Sequence, residues 1–149
     1  MDQQARQRRL VAALSEPGAL PGSGAAPAQH ETHISHVLLA GAYAYKLKKP
    51  LNLGFLDFSS LEARRTCCEA EIRLNQRLAP QVYLDVVAIT GSPDAPVVDG
   101  AGPAIEYAVR MHRFDQDGLF DRLVQQGRLD RASIEALSQR GEAPFGTQA

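Results

Sequence analysis

The chain has 149 residues, 44% hydrophobic and 22% charged, a balance that suits one domain with a real core and excludes wholesale disorder. Sixteen basic and 17 acidic residues give a formal charge of −1, which excludes a protein that coats nucleic-acid phosphates with its whole surface. No apolar run approaches the ~20 residues that span a bilayer, and MDQQARQRRL has no apolar stretch ahead of a small-residue cleavage site, so neither a membrane nor a secretory route is expected. The two cysteines, Cys67 and Cys68, are adjacent and make no disulfide framework, so a reducing cytoplasm is the expected compartment. Trp is absent and aromatics are 6%, which does not advertise a stacking platform for bases.

In chain order, residues 2–14 read as a short amphipathic helix, with Leu10, Val11 and Leu14 as its large apolar positions and Pro17-Gly18 as its stop. Residues 17–29, rich in Pro, Gly and Ala, read as a flexible linker. Residues 36–40 (HVLLA) and 43–49 (YAYKLKK) read as a strand hairpin across Gly41-Ala42, ended by Pro50. Residues 51–58 form an irregular apolar connection. Ser59 or Ser60 then caps a helix over 61–78. Residues 83–90 (YLDVVAIT) and 104–111 (AIEYAVRM) read as strands, with a short turn-flanked run at 96–98 between them. Further helices are expected at 118–127 and 130–140, the second capped by Asp130. Strand, strand, long helix, strand, strand, then helices is antiparallel α+β arithmetic, because the hairpin connections are too short for parallel crossovers.

The residue with the most chemistry is Lys46. It lies on a strand between apolar neighbours, with the small Ala44 on the same side, and successive side chains alternate faces. The small residue leaves room for a flat ligand such as a purine, and the lysine can reach that ligand's phosphates. Such a lysine needs a carboxylate to orient it and offset its desolvation, and the long helix offers Glu69 and Glu71. The competing reading is an edge strand guarded against aggregation by Lys46, Lys48 and Lys49.

The stretch from His30 to Ile89 (HETHISHVLLAGAYAYKLKKPLNLGFLDFSSLEARRTCCEAEIRLNQRLAPQVYLDVVAI) resembles the start of a bacterial group of kinases related to aminoglycoside phosphotransferases, which have the protein-kinase-like fold. Ala44-Tyr45-Lys46 resembles the family's A-x-K, Glu71 falls at its helix-C glutamate, and EYAVRMHRFDQDGLFDRLVQQGRL resembles its passage into the large lobe. The resemblance covers about residues 30 to 140. It implies a helix and linker at 1–29, a small lobe at 30–112 with one long helix packed on an antiparallel sheet, and the hinge and truncated start of a large lobe at 113–149.

The same resemblance implies that Lys46 contacts the α- and β-phosphates of ATP and pairs with Glu71, that the loop at 32–35, including Ser35, covers the phosphates, and that Ala44 lines the adenine pocket. Residues 110–114, with Arg110, Met111 and His112, would present hinge backbone to adenine. The expected ligands are ATP and Mg2+, and the expected partner of the whole family protein is a small-molecule hydroxyl acceptor of unspecified identity, with no nucleic acid.

This sequence departs from the family pattern in three ways. No G-x-G-x-x-G precedes the lysine strand, and Lys48 points the same way as Lys46. No H-G-D-x-H-x-x-N segment or D-F-G-like segment follows, so the catalytic and metal-binding aspartates are missing from these 149 residues. The chain by itself is therefore expected to transfer no phosphoryl group, and the alternative is a noncatalytic nucleotide-binding or interaction module. A lobe without its partner lobe would expose an apolar underside suited to self-association.

Other clusters read as ordinary structure. His30, His33 and His36 with Glu31 lack the H-E-x-x-H spacing of a zinc site. Cys67 and Cys68 diverge by ~100° on a helix and pack rather than chelate. The acidic residues Asp115, Asp117 and Asp121 suit a helix start.

Overall fold

The structure is a computed structural model that describes residues 2–21, 25–55, 57–78 and 80–113. The helices expected at 118–127 and 130–140, Phe114 of the expected hinge, and the aspartates at 115, 117 and 121 lie outside the described residues.

Helix α1 (Gln3–Leu14) begins where the Asp2 carboxylate accepts a hydrogen bond from Ala5 N at 2.7 Å, an N-cap that satisfies one of the helix's orphan donors. Strands β1 (Ala28–Glu31), β2 (Ser35–Ala40) and β3 (Tyr43–Lys48) follow. The β2–β3 hairpin pairs Ala40 with Tyr43, and its first turn residue, Gly41, takes φ +62°, which a two-residue hairpin with glycine leading requires. Helix α2 (Leu61–Leu78) is capped by Ser60, whose Oγ accepts from Ala63 N at 3.0 Å. Strands β4 (Tyr83–Ser92), β5 (Ala95–Val98) and β6 (Glu106–His112) complete the described elements.

The fold class is α+β, as expected: one antiparallel six-stranded sheet and, among the described residues, two helices. The strand order β1-β2-β3-β6-β4-β5 sets β3 between β2 and β6. The edge-guard reading of the lysines is therefore wrong, because β3 has no free edge. The linker expected at 17–29 also needs correction. Its last residues begin β1, which pairs with β2 from Ala28↔Leu39 to Glu31↔His36, and Leu20 is buried in the core. The segment AQHE carries no apolar alternation, so pairing with the apolar β2 decides its conformation rather than its own propensity.

The sheet is covered on both faces. Leu10, Val11 and Leu14 of α1 join Leu38, Tyr45, Leu47, Val87 and Ile89 in one cluster. Burying each of those three α1 side chains contributes about 1.5–3 kcal/mol before entropy is counted. Val37, Leu39, Ala44, Val109 and Met111 form the opposite cluster with Cys68 and Ile72 of α2 and with Tyr83. Cys67, one residue along and about 100° around the helix, packs instead with Phe58 and Ala70. The adjacent cysteines thus serve two different clusters, as small packing residues.

Candidate functional site

Alternation along β3 sends Tyr43, Tyr45 and Leu47 toward α1 and Ala44, Lys46 and Lys48 toward α2. Glu71 meets the lysines from the middle of α2. Lys46 Nζ lies 2.6 Å from Glu71 Oε2, and Lys48 Nζ lies 2.5 Å from Oε1. All three side chains are 0% exposed. One carboxylate is gripped at each oxygen by a different lysine. Glu69, the other acid considered from sequence, is exposed and pairs with Arg65 at 3.2 Å.

The electrostatics follow from that geometry. Burial pushes the Glu71 carboxyl up, but the neighbouring charges of Lys46 and Lys48 outweigh it and hold the group down at about 2. Burial works against the Lys48 ammonium, yet the Glu71 charge raises it above the ordinary lysine range. Burial, with Glu71 second, pushes the Tyr83 phenol up, and burial raises the Cys68 thiol against the opposing pull of Lys48. Both therefore stay neutral beside the ion cluster.

Ser35 belongs to the same face. It stands directly across from Lys48 in the β2–β3 register, is fully buried, and its Oγ has no hydrogen-bond partner. Three backbone donors of the 32–35 loop are already engaged: Thr32 N donates to Ser35 O at 2.9 Å, and Thr32 Oγ1 accepts from Ile34 N at 3.3 Å and from Ser35 N at 3.1 Å.

Ala44 and Met111 are register partners and sit on the lysine face, both fully buried in the apolar cluster. Arg110 and His112 lie elsewhere. They alternate with Met111 on β6 and point to the α1 side, where Tyr43 stacks on His112 with centroids 5.7 Å apart and lies 5.6 Å from the Arg110 guanidinium. Arg110 also grips Asp85 with two hydrogen bonds of 2.9 and 2.7 Å. The hinge expected at 110–114 is a paired strand as far as His112. His112 N donates to Val82 O and Arg113 N to Ala42 O, both at 2.7 Å, so these two donors are already engaged.

Sequence reading missed two members of the site. Tyr83 falls only within an expected strand, and Gln7 only within an expected helix. Gln7 is buried, and its Nε2 donates to the Lys48 carbonyl at 2.7 Å and to Glu106 Oε2 at 3.0 Å. Lys46, Lys48 and Lys49 form no exposed basic patch, because two of the three are buried and Lys49 pairs with Glu31 at 2.6 Å. Among the described residues no helix is long and apolar enough to cross a membrane.

No family model matches the chain, and no solved structure matches it. It is 33% identical over 109 residues to uncharacterized proteins of Mycobacterium tuberculosis, from strains CDC 1551 / Oshkosh and ATCC 25618 / H37Rv, and of Mycobacterium bovis. The aligned stretch is 73% of this chain and 20% of each relative, so the chain spans about a fifth of the length of the curated relatives it matches.

Proposed function

We propose that this chain is the nucleotide-cradling lobe of an ATP-dependent phosphotransferase of the kinase-like fold, resembling the aminoglycoside phosphotransferase group and working in the cytoplasm on a small-molecule hydroxyl acceptor. The observation that carries the reading is the Lys46–Glu71 pair, a strand lysine held at 2.6 Å by a helix carboxylate on the face shared with Ala44 and Met111. Ser35, whose hydroxyl is orphaned, stands across from Lys48 on the face that Lys46 shares, and a phosphate oxygen brought to that face would accept hydrogen bonds from an ammonium and from the hydroxyl. Binding requires the closed cluster to open, because solvent does not reach Lys46.

Among the described residues no group of three or more His, Cys, Asp or Glu side chains could hold magnesium. What the chain's own residues supply is charge and orientation at the phosphates. The residue that would orient the acceptor hydroxyl has no counterpart in the sequence, so this chain binds nucleotide and does not complete transfer.

One observation favours a noncatalytic reading instead: three fully buried charges that satisfy one another also describe a structural clamp. Thermal-shift titration with Mg-ATP separates the two. A nucleotide lobe gains melting temperature with ATP, and the gain disappears in Lys46→Met. No gain, or an equal gain in Lys46→Met, overturns the nucleotide reading and leaves the clamp.

A further inference from the structure

A cavity of about 300 Å³ opens on the α1 side of the sheet, between α1, the first turn of α2 and the start of β6. Leu10, Leu61 and Ile105 give it apolar wall. Its polar groups come from Gln3, Arg6, Gln7, Arg64 and Glu106.

The one carboxylate in this lining is already engaged at both oxygens. Glu106 Oε1 accepts from Arg64 Nε at 2.9 Å and from Tyr107 N at 3.1 Å, and Oε2 accepts from Gln7 Nε2 at 3.0 Å. Arg64 is 5% exposed, and Nε and Nη1 are fixed by Glu106, Gln3, Phe58 O and Ser59 O. Its Nη2 makes no hydrogen bond among the described residues. The Arg6 guanidinium has neither a hydrogen bond nor an ion pair there, whereas Arg9, on the same helix, holds Asp94 at 2.6 Å. Two guanidinium groups against one carboxylate leave the lining one positive charge in excess.

We propose that this cavity is a binding site for a small organic monocarboxylate. Arg64 Nη2 and Arg6 take the carboxylate through charge-assisted hydrogen bonds, and the apolar wall takes the body of the ligand. The buried Arg64 is held in place before any ligand arrives, which lowers the ordering cost of binding. The volume lies at the small end of ligand pockets and suits a compact acid. A bare inorganic anion would leave the apolar wall unused. The site lies across the sheet from Lys46, and the proposal does not rest on the nucleotide reading.

The test is a 1H–15N NMR titration of the full chain with benzoate, benzamide and inorganic phosphate as probes, each to roughly millimolar concentration. The expected result is a saturable benzoate shift of the Arg64 Nε–H signal and of the Leu61 and Ile105 amides. Benzamide and phosphate should bind at least about tenfold more weakly. Arg6→Gln, a change to an exposed side chain, should weaken benzoate about tenfold and leave the melting temperature in place. Four results would each overturn the proposal: no saturable benzoate shift, an equal response to benzamide, an equal response to phosphate, or full benzoate affinity in Arg6→Gln.

Discussion

Lys48 Nζ sits 2.5 Å from Glu71 Oε1, and the lysine two residues before it holds the other oxygen of the same carboxylate. Helix α2 is therefore fastened to the middle of the sheet by two cations through one anion. Either lysine can leave Glu71 without stranding a buried negative charge. In the nucleotide reading, that frees Lys46 to turn to a phosphate while Lys48 keeps the helix docked.

The shared clamp predicts strong non-additivity. Lys46→Met or Lys48→Met alone leaves a neutral buried pair and should cost no more than about 1 kcal/mol. The double substitution strands Glu71 and should cost about 3–5 kcal/mol or more, well above the sum of the singles. Urea unfolding of the three variants checks this, and simple additivity would show that the lysines do not share Glu71 energetically.

Acid should loosen the fold through the same group. The Glu71 carboxyl is at about 2 in the folded chain against an ordinary 4.5, so the folded state favours its ionised form. The resulting stability is fully present above about 4.5 and is lost as pH falls through that value toward 2. Melting temperature between pH 6 and pH 3 should fall more steeply for the wild type than for Glu71→Gln, which lacks the titrating group. Parallel curves would show that Glu71 does not drive the acid response.

The β4–β5 hairpin depends on the absence of a side chain at Gly91. Its φ is +85°, and a Cβ there would collide with the Ala95 carbonyl oxygen. Gly54 has the same φ with nothing within 4 Å. Gly54→Ala should therefore cost only the conformational penalty of about 1–2 kcal/mol, and Gly91→Ala clearly more. Equal melting temperatures for the two variants would refute the steric part of this account.

Gln7 ties α1 to two acceptors at once. Gln7→Leu preserves bulk but leaves the Lys48 carbonyl and Glu106 Oε2 each one donor short, and should cost about 1–3 kcal/mol. Gln4→Leu, on the exposed side of the same helix, should be close to neutral. Paired thermal melts decide between them.

The sequence made some of this legible for definite reasons. Helix α2 matches its expected bounds of 61–78 because Ser60 supplies a side-chain cap and Ala79-Pro80 a stop. Strand alternation and the long helix offered Glu69 and Glu71 to Lys46, and the family resemblance singled out Glu71. The lysine register stayed open because Lys46 and Lys48 point the same way, and no one-dimensional pattern says that one carboxylate serves both. β1 stayed hidden because AQHE has neither alternation nor β-branched residues, and its order is borrowed from β2. The resemblance assigned Arg110 and His112 to a hinge whose backbone meets adenine, and the pleat sends their side chains through to the other side of the sheet.

Helix α1 comes first in the chain and is fixed by residues that come much later. The two acceptors that hold Gln7 lie 41 and 99 residues further along the chain. The apolar face of α1 rests on side chains of β2, β3, β4 and β6, so its seat is assembled from strands far apart in the sequence. Twelve residues are marginal as an isolated helix in water, so α1 draws its stability from those distant partners rather than from its own sequence.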